Sequence, residues 1–419
     1  MLLRCIWPLA LLLACSGPGS EDGGVDAAVD AGRDDAGHDA GSGARDAGDD
    51  SGTDAGVADP GWVPFSELAD DCTIERAVRP SEVGSVRWEP CSFMPTGCWI
   101  AERASIGGTA PGTFWNGRGY FRSGRMGPDG RFIVMLVTTD GTVVGAWRTP
   151  PYEPLVDANR ACLVSIGVGE GFAAIVGRYL DFDDRSRSRV AVHHTALDGV
   201  AGPVEPLAIG GHETAPQEVF VSSEAVAMWT GAWVFVVDAA SGETVRMNEA
   251  LPGIPQNVAV VGSHVVWEDW ADLVRVVHGD IEAPGALFHR ADPGDIKGFH
   301  TDGRDFAWFE GYDRQPDRTY ARLELWTAPY VRDPGALEPR RVRDMEERSL
   351  SAYGGGWYVT LRADPRRYDI INIHDGTLRQ YAPPGGPSRP PIYVSENEIL
   401  VPSFPLVRFD PNALPIVDE

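Results

Sequence analysis

From about residue 116 onward the chain is written in apolar runs of roughly five to eight residues. They are rich in Val, Ile, Phe, Tyr and Trp and are cut by Gly, Asp and Pro. No stretch carries the i, i+3, i+4 spacing of an amphipathic helix, so the pattern predicts strands joined by tight turns. One unit recurs. "VFVSSEAVAMWTGAWVFVVDAASGETVRM" (219–247) reads as strand, turn, strand ending at Trp229, strand, Ser-Gly turn, outer strand. "VAVVGSHVVWEDWADLVRVVHGDIEA" (258–283) repeats it with Trp267 and Gly279-Asp280, and "FHTDGRDFAWFEG" (299–311) with Trp308 and a longer excursion to Pro334-Gly335. "LSAYGGGWYVTLRADPRRYDIINIHDGTLRQY" (350–381) follows with Trp357 and Asp375-Gly376. Upstream, Asp140-Gly141 and Asp198-Gly199 mark the same turn.

Turn-to-turn spacings of ~40–60 residues fit the blades of a β-propeller. A four-stranded antiparallel sheet covers neither of its faces alone, but sheets packed in a ring bury one another. Glycine supplies the positive φ of the hairpin turns. The expected fold is therefore all-β: six or seven four-stranded blades, seven being the better fit, over residues 116–419. The last unit, "PPIYVSENEILVPSFPLVRFD" (390–410), is a strand short, and a strand from within 84–120 is expected to complete it and close the ring. The recurring Trp229, Trp267 and Trp308 are expected to pack between sheets, because an aromatic repeated in every blade serves the core.

The N-terminal part reads differently. Residues 1–14 carry one Arg and then about ten mainly apolar residues, too few for a helix to span a bilayer, which takes ~20. "LLAC" resembles the bacterial lipobox, and the resemblance implies a signal peptide removed before Cys15, whose thiol carries a diacylglyceryl group. Ser16 after the cysteine resembles the outer-membrane sorting choice. The expectation is a cell-envelope protein held to the membrane through acyl chains on Cys15, at the outer membrane.

Residues 15–60 are nearly all Gly, Ala, Asp and Ser. Residues 16–60 hold 12 acidic and 2 basic side chains, so −10 of the chain's −25 sits there. With no aromatic to bury, the segment is expected to be a disordered tether. The remaining −15 over the rest of the chain argues against nucleic acid as a partner. Lys297 is the only lysine.

Residues 61–115 form a cysteine-rich lead-in. With Cys5 in the leader and Cys15 acylated, Cys72, Cys91, Cys98 and Cys162 remain. Four thiols in an exported chain allow two disulfides in three pairings. "CSFMPTGC" is the favoured loop, Cys91 to Cys98, which leaves Cys72 with Cys162. Paired C-x-x-C spacing is missing, so a zinc site is disfavoured.

Motifs for chemistry are sparse. No G-x-S-x-G elbow and no H-E-x-x-H occurs. "DFDD" (Asp181, Asp183, Asp184) reads as a solvated turn before "RSRSR", and adjacent His193 and His194 face opposite sides of a strand. "WEDW" places Trp267, Glu268, Asp269 and Trp270 near a strand end, the one mixed acidic and aromatic stretch fit to be a binding rim. "VVDAASGETVRM" (236–247) resembles the D-A-x-x-G-x-x-x-W unit of PQQ-like propeller repeats, with Arg246 in the Trp position and Met247 just after it, and "TTDGTVVGAW" (138–147) keeps Trp147. The resemblance is to the broad PQQ-like and TolB-like superfamily and implies a propeller without implying a bound quinone. No cofactor, metal or catalytic residue is expected. The expected role is binding or scaffolding, toward an envelope protein or a glycan. The alternative is a propeller enzyme, a hydrolase or lyase directed at glycan or peptide.

Overall fold

The computed structural model describes residues 75–76, 85–92, 97–102, 120–126, 131–138, 140–151, 160–169, 171–181, 189–197, 207–210, 218–249, 253–270, 274–291, 294–315, 319–346, 351–362, 366–383, 393–401 and 406–417. Residues 1–14, Cys15, the tether to residue 60, Cys72, Asp183 and Asp184 lie outside the described residues, as does the side chain of Cys162.

Among the described residues, six four-stranded sheets and one five-stranded sheet are formed, every strand pair antiparallel. The third sheet (Glu218–Val221, Ala225–Trp229, Val234–Asp238, Thr244–Arg246) follows the pattern expected of 219–247 strand for strand. The fourth (Ile254–Val261, His264–Trp270, Val274–Gly279, Ala286–His289) and fifth (Asp295–Thr301, Asp305–Arg314, Tyr320–Pro329, Arg340–Met345) repeat it. So does the sixth (Ser351–Gly354, Trp357–Arg362, Arg367–Asn372, Leu378–Tyr381). The second sheet comprises Arg160–Gly169, Phe172–Asp181, Arg189–Ala196 and Ala208–Gly210. From the second sheet to the seventh, the first strands of consecutive sheets stand beside one another, which places them around the axis of a propeller.

Side-chain alternation explains why the central strands read as nearly unbroken apolar runs. In Ala225–Trp229, Val226 and Met228 pack with Val176 and Val192 of the second sheet. Ala225 and Ala227 pack with Val265 and Trp267 of the fourth. Both faces of the third to sixth sheets are covered, so both sets of alternate positions must be apolar there. Further clusters join the fourth sheet to the fifth, the fifth to the sixth and the sixth to the seventh.

The turns use local chemistry. Asp238 Oδ1 accepts from the backbone N–H of Ala240 (3.0 Å) and Ser241 (2.7 Å), and Gly242 at φ 75° completes the reversal. Met247 is fully buried against the fourth sheet.

The chain closes the ring from both ends. The first sheet takes Glu75–Arg76 as an edge strand, with Glu75 opposite Arg148. The seventh combines Tyr393–Val394, Ile399–Val401 and Val407–Phe409 with Cys98–Ala101 and then Trp88–Pro90. Val407 pairs with Ile100 and Phe409 with Cys98, so the strand missing from the last unit comes from the lead-in. Cys91 and Cys98 form a disulfide.

Candidate functional site

Strand His264–Trp270 carries the "WEDW" stretch, and alternation splits it between two faces. Trp267 is fully buried in the cluster joining the third and fourth sheets, with Ala227, Val236 and Met247. Trp308 holds the corresponding place between the fourth and fifth sheets, and Trp229 packs half-buried at the edge of Trp267's cluster. These tryptophans are packing residues.

Glu268 faces the fifth sheet and is fully buried. Its carboxylate accepts from Asn257 Nδ2 (2.7 Å), Trp270 Nε1 (2.6 Å) and the backbone N–H of Phe299 (3.2 Å). Two β-bulges make this possible. The register breaks between Gln256 and Ala259 in one first strand and between Lys297 and His300 in the next, with Asn257 at φ 47° and Gly298 at φ 58°. A bulge takes an N–H out of the ladder, and a buried N–H needs a partner. Burial pushes the Glu268 carboxyl up, while the side chains of Asn257 and Trp270 and the backbone of Phe299 and Gly298 hold it down.

The polar chain continues into the sixth sheet. Tyr358 Oη donates to Gly298 O (2.7 Å) and lies 2.9 Å from Ser351 Oγ, which lies 2.9 Å from His300 Nε2. Burial lowers the His300 pKa to about 4. Three consecutive sheets are thus tied together by one run of buried hydrogen bonds.

Asp269, on the opposite face of the strand from Glu268, is buried and receives Nε and Nη2 of Arg275 on Oδ2, both at 3.0 Å. Burial raises its pKa, and Arg275 opposes the rise. Of the four rim residues only Trp270 reaches the surface, at 39% exposure, beside its register partner Ile254 at 56%.

A second cluster lies in the fifth sheet. Glu310 and Glu324 are directly opposed across adjacent strands. Trp308 Nε1 (3.0 Å), the Tyr312 hydroxyl and His289 Nε2 (3.4 Å) surround the Glu310 carboxylate. These partners outweigh the upward push of burial and keep Glu310 below the usual range. Glu324 accepts from Trp326 Nε1 (3.2 Å) and pairs with Arg341 Nε (3.1 Å), and the Arg322 guanidinium lies 4.2 Å over the Tyr312 ring. Sequence reading passed over this cluster, although its signal is there. E-x-W at 268–270, W-x-E at 308–310 and E-x-W at 324–326 each set an indole N–H beside a carboxylate on one strand face.

On the fourth sheet, beside the turn that opens strand His264–Trp270, His264 Nδ1 lies 2.8 Å from the Tyr330 hydroxyl and Nε2 lies 2.8 Å from His278 Nδ1. Burial, then His278 and Arg332, lowers the His264 pKa to about 4. Among the described residues no three His, Cys, Asp or Glu side chains form a group fit to hold a metal ion.

No family model matches the sequence, and no curated protein matches it. Solved structures similar to it include the Cps50 (Swd1) β-propeller domain of Myceliophteria thermophila, 10% identical at a TM-score of 0.41 over 70% of this chain and 93% of that one. Apo AztD from Citrobacter koseri is 13% identical at 0.40, over 68% of this chain and 77% of that one. The WD40 domain of SCAP from fission yeast is 9% identical at 0.38, over 84% and 98%. The ring itself rests on the strand pairings of this chain.

Proposed function

We propose that this chain is a lipid-anchored cell-envelope propeller that binds an envelope protein or glycan through the surface around Trp270 and Ile254. The observation that carries the reading is the state of Trp270. Its ring is exposed, yet its N–H is tied to a carboxylate locked inside the molecule. A fixed aromatic loses little freedom when a partner covers it, which favours recognition. Cys15 with its acyl chains supplies the anchor and residues 16–60 the reach. The finer resemblance to PQQ-like and TolB-like propellers belongs to this reading too, through the 236–247 and 138–147 units.

The test has two parts. Intact-mass spectrometry of the membrane fraction, wild type against Cys15→Ala, reads the anchor; an N-terminus elsewhere without acyl mass removes it. Binding of the purified chain to detergent-extracted envelope and to isolated envelope glycan, wild type against Trp270→Ala, reads the surface; equal binding by both forms removes the assignment of Trp270.

A hydrolase is the second reading, and Glu310 opposite Glu324 favours it. Residues directly opposed in an antiparallel pair project from the same face of the sheet, so two carboxylates stand side by side, the residue set that glycoside hydrolysis uses. Turnover of a glycoside panel that disappears in Glu324→Gln would put this reading first.

A further inference from the structure

The lead-in, over residues 86–92 and 97–102, sits where the last sheet meets the first. Its hairpin, Trp88–Pro90 with Cys98–Ala101, is registered Trp88 opposite Ala101 and Pro90 opposite Trp99. Next to that pairing the Cys91 N–H donates to Cys98 O (3.0 Å), and the Cys91–Cys98 disulfide spans the same two residues. Toward the seventh sheet, Ala101 N donates to Leu406 O (3.0 Å) and Asp410 N to Gly97 O (2.8 Å). The Arg408 guanidinium lies 4.9 Å from the Trp88 ring and 4.6 Å from the Trp99 ring, one from each hairpin strand. Toward the first sheet, Val86 N donates to Gly141 O (2.9 Å). Gly141 is at φ 97°, and a Cβ there would run into Val86 O.

We propose that this hairpin is a thiol-sensitive clasp. With Cys91–Cys98 oxidised it holds the last and first sheets together, and reduction of that bond by a dithiol releases this seam while the second to sixth sheets stay folded. The sheets away from the seam are joined by broad apolar clusters. Trp88–Pro90 is a three-residue strand at the edge of its sheet, held by three register pairs with Cys98–Ala101, and so short an edge gains from a further constraint. A disulfide supplies it by removing open conformations of the chain.

The chemistry balances with the dithiol as reductant. One thiolate attacks a disulfide sulfur, forming a mixed disulfide and freeing the other cysteine. The second thiol of the reductant then closes its own disulfide, so two electrons and two protons end on Cys91 and Cys98. Both cysteines are buried, at 7% and 5% exposure, so the attack waits for the hairpin to part, and the reduction rate follows seam opening. The device makes ring closure conditional on an oxidising compartment.

Hydrogen–deuterium exchange of the full chain, with and without dithiothreitol, tests it. Peptides covering 98–101 and 399–409 are expected to exchange faster on the order of 50-fold after reduction, the factor set by freeing so short a loop, while those covering 254–270 keep their rate. An oxidised Cys91→Ser, Cys98→Ser chain should show the same change with no reductant. A Cys72→Ser, Cys162→Ser chain treated with dithiothreitol should still show it, which assigns the effect to this bond. Unchanged seam exchange in the reduced wild type overturns the proposal, and so does an equal rise in the seam and in 254–270, because the molecule would then open as a whole.

Discussion

Trp270 donates its indole N–H to Glu268 over 2.6 Å, so an exposed ring is held in place by a carboxylate that water does not reach. One residue of the pair belongs to the surface and the other to the joint between the fourth and fifth sheets. Substitutions at the two positions should therefore report on different properties.

Glu268→Gln replaces an acceptor surrounded by N–H donors with a group that brings two donors of its own. The cost is expected to be about 2–4 kcal/mol of folding stability, as for a broken buried charge network. Urea denaturation of the two chains measures it, and a loss below about 0.5 kcal/mol would mean that the bulges at Asn257 and Gly298 hold without the carboxylate.

Trp267→Ala and Trp270→Ala should separate packing from recognition. Emptying the fully buried Trp267 site leaves a cavity and is expected to cost about 3–5 kcal/mol. Trp270→Ala should cost less, about 2 kcal/mol, because the ring is already part-exposed and the loss is chiefly its hydrogen bond to Glu268, while reducing retention on envelope extract. Thermal melts and a pull-down on the same preparations check both. Equal destabilisation by the two substitutions would make Trp270 a core residue.

Gly298→Ala should be costly for a stated reason. The residue sits at φ 58°, and its added methyl would meet the Tyr358 hydroxyl and Ser351 Oγ. A loss of about 2–3 kcal/mol is expected, from backbone strain and the displaced hydrogen bonds together. Gly171→Ala, at φ 81° with open space around it, carries the strain alone and should lose about 1 kcal/mol. The difference between the two in urea midpoint isolates the polar chain.

Stability should fall as the solution is acidified through the histidine range. His264 and His300 both titrate near pH 4 in the folded protein, against 6.5 for an ordinary histidine. The unfolded chain takes up these protons first, so the stability from each site is complete above pH 6.5 and is lost as pH falls from 6.5 to 4. The loss per histidine is at most about 3 kcal/mol. Urea midpoints across that window, wild type against His264→Asn, should show a shallower slope in the variant. Parallel curves would exclude His264 as a source of the dependence.

The sequence by itself determined whatever depends on near neighbours. Alternation over a few residues specifies a strand, and Ser241-Gly242 or Asp375-Gly376 specifies its reversal through φ and side-chain caps, so the repeated four-strand unit was legible. The burial of Trp267 followed from its repetition, and the Cys91–Cys98 bond from its short loop. Only the tertiary structure decided what Glu268 does. Its fate turns on two bulges that shift register within first strands, and on the Phe299 N–H, 31 residues away and brought in by the neighbouring sheet. The pairing of Cys98–Ala101 with Val407–Phe409 in its actual register was likewise settled by ring closure, because a strand's alternation names its two faces but not the strand that will lie beside it.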